Sequence, residues 1–388
     1  MKRVTLVLML VLPTTVMAQD SSLVERPHSA TALDPAIIAR AASAGPALVG
    51  ATPPPDSGFV LPPTPSPQNT GQAKPVQNVQ TPRRPRPEGS MVGYIEDAMV
   101  GSRVRFRFDG AFDNSFPDRA EFFYAKCGCY QGLAGVIPEA FDPNASGPGL
   151  GVPETINFQQ LYLNAEYAPN SRFSVLVELP VRWLQPQGFK PIPPFPGFTN
   201  QSGLGDVRAG VKAALVAAED RDLTFRLNAY FPSGEASQGL GTDHASFEPA
   251  LLYHQKLGQR AALESQIGML FPVGGNAGVP TAVSEKFSGK VFFYGFGPSY
   301  QLYDNGRVRF APVVELVGWR VQDGFQSQVG GPLLGAAASA GGTNIVNMKV
   351  GARTSFDTRS SFYVGYGWSL TDAWWYKEIV RVEYRYSF

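Results

Sequence analysis

The sequence predicts an all-β fold, a transmembrane antiparallel β-barrel of about twelve strands preceded by a disordered, Pro-rich N-terminal tail. Three observations carry that expectation: the chain ends in a strictly alternating segment, it opens with an export leader, and its connections alternate between short turns and long loops. In Val380–Phe388 the even positions Val380, Val382, Tyr384, Tyr386 and Phe388 are apolar or aromatic, and Arg381, Glu383, Arg385 and Ser387 between them are polar. Successive side chains point to opposite faces of a strand, so one face suits lipid and the other a polar interior.

At the other end, Lys2 and Arg3 precede the apolar run Val4–Leu12, and Val16-Met17-Ala18 supplies the small residues of a cleavage site. Residues 1–18 therefore read as a signal peptide, with the mature chain starting at Gln19. No later apolar run is long enough to span as a helix. The mean hydropathy of −0.10 does not exclude a barrel, because alternation averages out. Charged residues make up only 17% of the chain, few for a soluble protein. The net charge of +1 offers no footprint for nucleic acid, and two cysteines cannot supply a disulfide framework.

Residues 19–92 are assigned to the tail. Thr52–Pro87 is dense in Pro, Gln, Ser and Thr, including Pro53-Pro54-Pro55 and Arg83-Arg84-Pro85-Arg86-Pro87. Such a stretch cannot bury enough apolar surface to offset its ordering entropy. Within the tail, Asp34–Val49 has the makings of a short helix, with Asp34 as N-cap and Pro35 at the first helical position. No folded plug is expected from such a segment.

From Gly93 to Phe388 the pattern becomes that of strands, and this is the expected barrel domain. Val104, Phe106 and Phe108 alternate with arginines in the first strand. Leu161–Tyr167 and Phe173–Trp183 flank Pro169-Asn170-Ser171; Val207–Leu215 and Leu223–Phe231 flank Glu219-Asp220-Arg221. Phe247–Tyr253 and Leu263–Phe271 flank Leu257-Gly258-Gln259, and Phe292–Leu302 and Val308–Leu316 flank Asp304-Asn305-Gly306, where Asn-Gly is a strong tight-turn signal. Val346–Phe356 and Phe362–Trp368 flank Asp357–Ser360, and the terminal strand completes the set. Tight turns follow the even strands and longer connections the odd ones, as in a barrel whose ends both lie in the periplasm. One irregularity stands out: Glu378 has the lipid-facing parity, which a bulge or a strand starting at Ile379 would repair.

The opposite parity lists the expected lumen: Arg105, Arg107, Glu166, Glu178, Arg182, Asp206, Arg208, Lys212, Arg226, His254, Glu264, Arg309, Glu315, Lys349, Arg353, Arg381, Glu383 and Arg385. Charges in a narrow barrel pair with one another, which makes most of these structural. Because basic residues outnumber acidic ones, the same set also defines a polar pathway with a mild preference for anionic solutes. About twelve strands leave room for a small solute but not for an open porin-type channel.

Two resemblances add to this reading. The terminal strand, with Val382, Tyr384, Tyr386 and Phe388, resembles the C-terminal signal that the barrel-assembly machinery reads in outer-membrane proteins. Gly203-Leu204-Gly205-Asp206-Val207 followed by Lys212, with Glu178-Leu179-Pro180, Phe231-Pro232-Ser233-Gly234 and Phe247-Glu248-Pro249-Ala250-Leu251, resembles the outer-membrane transporter family of the phenol-degradation (MetA) pathway. The resemblance covers about Gln160 to Phe388. It implies a passive channel or transporter for small, hydrophobic or aromatic solutes in the bacterial outer membrane, with its tail in the periplasm and lipid around it. The long first loop, with Asp118–Phe123 and the cysteines, departs from that family's pattern and marks a lineage-specific branch.

Three further features were weighed for chemistry. Cys127-Gly128-Cys129 lies in the first long loop without other thiols or imidazoles near it, so a strained local disulfide or pairing with another molecule is expected rather than a metal site. His244 and Ser246 share a strand face with Glu248, an arrangement that resembles the His-x-Ser of an outer-membrane lipid A deacylase, although no Asn follows Ser246. Gly330–Gly342 has no phosphate-binding context and reads as a flexible outer loop. No enzyme, metal or cofactor is expected. The alternatives are a structural outer-membrane anchor that displays its loops and a lipid hydrolase using His244 and Ser246.

Overall fold

The computed structural model describes residues 89–114, 155–188, 199–242, 244–273, 288–328 and 336–388. The signal peptide, residues 19–88 of the tail with Asp34–Val49, and Cys127 and Cys129 lie outside them.

The wall begins with β1 (Arg103–Asn114), β2 (Thr155–Asn170) and β3 (Phe173–Gln187). Next, β4 (Gln201–Leu204) and β5 (Val207–Ala217) share one place in the wall, both pairing with β3 and interrupted at Gly205-Asp206. Then come β6 (Arg221–Phe231), β7 (Ala245–Leu257), β8 (Ala261–Val273) and β9 (Val291–Tyr300). The two-residue β10 (Tyr303–Asp304) leads into β11 (Val308–Val321). β12 (Phe325–Gln328) and β13 (Ala336–Ser339) form a separate hairpin. β14 (Asn344–Phe356), β15 (Ser360–Ser369) and β16 (Glu378–Ser387) finish the chain. Every pairing is antiparallel, β9 joins β11, and β16 joins β1 with Arg103 opposite Ser387. With β4 counted into β5 and β10 into its neighbour, twelve strands close a barrel.

Alternation and turn chemistry explain the ladder. At the β2–β3 turn the Asn170 Oδ1 accepts hydrogen bonds from the Arg172 and Phe173 amides, each 2.9 Å. Asn305 does the same for Arg307 and Val308, and Gly306 takes the positive φ that such a turn requires. Along the wall, Phe106, Phe108, Val175, Val177, Leu179, Val364 and Tyr384 are exposed, and Arg107, Glu178, Glu383 and Arg385 beside them are buried. In water so large an apolar surface would drive association.

The structure departs from the sequence expectation at both ends of the lumen. Near the rim with the long loops the inward face turns apolar: Ala111, Ile156, Phe158, Leu184, Leu270, Val291, Val321, Ile345 and Ile379 point inward and are buried, while Phe112, Trp183, Phe231, Phe247 and Phe271 stay exposed on the outer face. β2 accordingly starts at Thr155, earlier than its outward apolar pattern suggests, with Asn157 and Gln159 on its outer face. Glu378 needs no bulge: it is the first residue of its strand, is exposed, and pairs in regular register with Phe112 and Trp368. Part of the Gly-Ala stretch is also strand rather than loop, because Ala336–Ser339 pairs with Phe325–Gln328.

The second departure is at the short-turn rim. Residues 89–102 enter the barrel, contrary to the expectation of no plug. Ser90, Val92, Ile95, Asp97, Ala98, Met99 and Val100 are all buried. Of these, Ser90 and Val92 were assigned to the tail by the sequence.

Candidate functional site in the barrel lumen

The inner segment has glycines at 89, 93 and 101 and no alternating pattern, so nothing in it specifies a strand. Its backbone groups are instead satisfied by side chains of the wall, as buried peptide groups must be. Glu315 of β11 accepts the amides of Gly93 (3.1 Å), Tyr94 (2.8 Å) and Ile95 (2.8 Å), together with the Tyr363 hydroxyl (3.0 Å). Gln266 accepts the Glu96 amide. Arg353 donates to the carbonyls of Met91 and Val92, Arg381 to that of Gly93, and Arg385 to that of Ser90. On the returning limb Lys212 donates to Asp97 O and Thr224 to Ala98 O. The segment is thus a loop inserted from the short-turn mouth, with Tyr94–Glu96 at its tip.

Its side chains complete the ion-pair network. Asp97 pairs with Arg103 and, at 3.2 Å, with Arg385; Ser90 donates to Glu264. Tyr94 lies between two cations, the Lys349 Nζ at 3.7 Å and the Arg381 guanidinium at 4.1 Å from its ring centre. Gly93 sits against the Tyr363 ring, 2.1 Å from where a Cβ would be, so only glycine allows this approach. Glu96 faces Arg105, Arg208 and Arg226 at 3.3, 3.6 and 3.8 Å.

Above the tip is a cavity of about 170 Å³. Its wall carries Arg107, Arg182, Arg208, Arg226 and Arg381, the carboxylates Glu96, Glu178, Asp206 and Glu248, and the aromatic rings of Tyr94, Tyr162, Tyr230, Phe293 and Trp319. The arginines are held by partners on neighbouring strands: Arg381 grips Asp109 with two bonds of 2.7 and 2.6 Å, Arg208 meets Glu178 at 2.8 Å, and Arg226 meets Glu248 at 2.6 Å. Arg353 and Arg385 share Glu383, and Lys212 binds Glu166 at 3.1 Å.

Beyond the cavity, toward the long-loop rim, the lumen is filled by the apolar layer. Trp375 and Tyr376, from the β15–β16 connection, and Leu240, from the β6–β7 connection, fold into it, and Trp375 packs on Trp319 with ring centres 4.6 Å apart. The lumen is therefore stacked in three levels: the inserted loop, the charged cavity and the apolar cap.

Of the expected lumen residues, Arg105, Arg107, Glu166, Glu178, Arg182, Arg208, Lys212, Arg226, His254, Glu264, Glu315, Lys349, Arg353, Arg381, Glu383 and Arg385 are buried. Two have local roles. Arg309 sits at the short-turn mouth, 3.6 Å from Asp304, and Asp206, between β4 and β5, accepts the Gly234 and Thr242 amides and so pins the β6–β7 connection. His244, Ser246 and Glu248 share the inward face but do not form a relay. The His244 Nδ1 is bonded to Thr242 O, the Ser246 Oγ has no hydrogen-bond partner among the described residues, and Glu248 is taken up by Arg226, Asn228 and Tyr230. Asp109, Thr224, Asn228 and Gln266 were not singled out, although their strand parity places them inside. Tyr94, Glu96 and Asp97 had no periodic signal that could have revealed them.

No family model matches the chain, and no curated protein matches it. Among solved structures it is similar to an outer membrane channel from Pseudomonas putida F1, at 12% identity and a TM-score of 0.44 over 78% of this chain and 99% of that one. It is also similar to the NanC porin, at 8% identity and a TM-score of 0.39 over 74% of this chain and 99% of that one. LpxR from Salmonella typhimurium matches at 8% identity and a TM-score of 0.38, over 74% of this chain and 100% of that one. Likeness at this level is remote, and the barrel described above rests on this chain's own strand ladders.

Proposed function

We propose that the chain is an outer-membrane channel for small solutes, closed by its own inserted loop and opened when that loop leaves the lumen. The observation that carries this reading is how the loop is held. Among the described residues, the backbone of residues 89–101 bonds to side chains of the wall and not to its backbone, so it can withdraw without breaking a ladder bond. The mixture of arginines and aromatic rings around the cavity favours small solutes with an apolar or aromatic body and an anionic group. The motifs at Gly203–Lys212, Phe231–Gly234 and Phe247–Leu251, which resemble the phenol-degradation transporter family, support the same solute class. In this reading the short turns and the tail face the periplasm, lipid covers the outer face, and the assembly machinery recognises Val382, Tyr384, Tyr386 and Phe388.

Single-channel recording in planar bilayers tests this with two proteins, the chain from Gln19 and the same chain starting at Ser102. Stepwise conductance in the shorter protein, with rare openings in the longer one, is the expected result. A second reading, a purely structural barrel, is favoured by the many ion pairs that fill the lumen. Silence from both proteins, each running as a heat-modifiable folded barrel, would establish that reading and end the channel proposal.

A further inference from the structure

The Glu96 carboxylate is the one acidic side chain of the inserted loop that faces the cavity, and its surroundings are unusual for an ion pair. Three arginines approach it, but only the Arg105 Nη2, at 3.3 Å, is within hydrogen-bond distance; Arg208 and Arg226 stay at 3.6 and 3.8 Å. Donors are left over around it. The Nε and Nη1 of Arg226, the Nε of Arg208 and the Nε of Arg107 are buried without a hydrogen-bond acceptor among the described residues. Arg107 stacks on Tyr162, 3.7 Å from the ring centre, with its closest carboxylates at 3.7 and 3.9 Å. Four arginines here share Glu96, Glu178 and Glu248, and Asp109 is already gripped by Arg381.

We propose that Arg105, Arg107, Arg208 and Arg226 form a binding site for the carboxylate of a small aromatic solute, which Glu96 occupies in the closed barrel as a tethered competitor. The inference rests on the channel reading and adds to it a ligand and a trigger. If the loop withdrew alone, four buried arginines would face two carboxylates, and uncompensated buried charge is strongly unfavourable. An anion that takes the place of Glu96 removes that cost, so occupancy of the site and release of the loop are coupled. The rings of Tyr162, Tyr230 and Phe293 line the same cavity and give an aromatic body an apolar surface beside the arginines. Planar, forked guanidinium groups suit a carboxylate better than a spherical anion.

Benzoate and its neutral isostere benzamide are the probes, titrated by calorimetry into the full mature chain in detergent, beside the variant Glu96→Gln. The variant is expected to bind benzoate at least about tenfold more tightly than the parent, because the competitor has lost its charge. Benzamide should bind neither protein, and Arg226→Gln added to Glu96→Gln should remove the benzoate binding. Equal benzoate affinity in parent and variant, equal binding of benzamide, or no benzoate binding to a folded variant would each overturn the proposal. Should Glu96→Gln fail to give a heat-modifiable barrel, the parent decides: saturating benzoate, and not benzamide, must accelerate hydrogen exchange of the amides at 93–96, and unchanged protection refutes the coupling. Binding is read here without any flux. Benzoate binding in a protein that never conducts would therefore sink the channel reading alone.

Discussion

The two halves of the lumen are built on the same strands by opposite rules. In the short-turn half, inward positions are Arg, Lys, Glu and Asp, and they are satisfied by one another and by the backbone of the inserted loop. In the long-loop half, inward positions are Ile, Leu, Val and Phe, sealed by Trp375 and Tyr376. The first half closes through directional bonds to charged groups, strong in geometry but dependent on every partner being present. The second closes through contact area and packing, which degrade gradually. A barrel interior therefore need not be polar along its whole depth.

Four substitutions break or sharpen that contrast. Glu315→Ala should have the largest effect. It leaves three backbone amides and the Tyr363 hydroxyl without their acceptor, at about 1–3 kcal/mol for each buried group left unsatisfied. Hydrogen exchange should show residues 90–101 losing protection together, with the wall strands intact; protection that persists would mean the loop is held by something other than Glu315. Trp375→Ala comes next, at about 3–5 kcal/mol in urea unfolding of the refolded barrel, from the buried indole and the cavity it leaves. It should leave protection of 90–101 largely unchanged, and a joint collapse of both halves would refute their separateness.

Gly93→Ala drives a methyl group into the Tyr363 ring and should cost about 1–3 kcal/mol through overpacking. The double variant with Tyr363→Ala should relieve the clash while losing the bond to Glu315, so a double variant less destabilised than the sum of the two single variants is the expected signature. Glu378→Leu should be the mildest, within about 0.5 kcal/mol, because the side chain is exposed at the rim and no strand register depends on it. A large destabilisation there would mean that Glu378 is not an exposed residue at the start of its strand.

The lesson for reading such a chain lies in particular residues. Arg105, Glu178, Lys212 and Glu315 were recognisable because their neighbours two positions apart are apolar and the strand period is two. Ile156, Phe158 and Leu184 were not placed inside, because apolar residues on the inward parity look like the end of a strand. Glu378 seemed an error of register because it is a charge on the outward parity. The inserted loop was missed altogether: the amides of Tyr94, Ile95 and Glu96 bond to Glu315 and Gln266, far off in sequence, and leave no local pattern. The His244, Ser246 and Glu248 constellation shows the converse failure, since sharing a face does not fix hydrogen-bond partners, and Glu248 found Arg226 instead.

By itself the sequence determined the architecture: strand alternation, Asn-Gly and Asn-initiated turns, and the alternation of short and long connections are local signals, and they specify a closed antiparallel barrel with a charged interior. Only the tertiary structure decided that the interior is occupied, with residues 89–102 lying in the lumen and Glu96 among the arginines. The reason is that a ladder is encoded by neighbours in sequence, whereas the fit of a non-repetitive loop into a barrel depends on side chains from β1, β5, β6, β8, β11, β14, β15 and β16 converging on it.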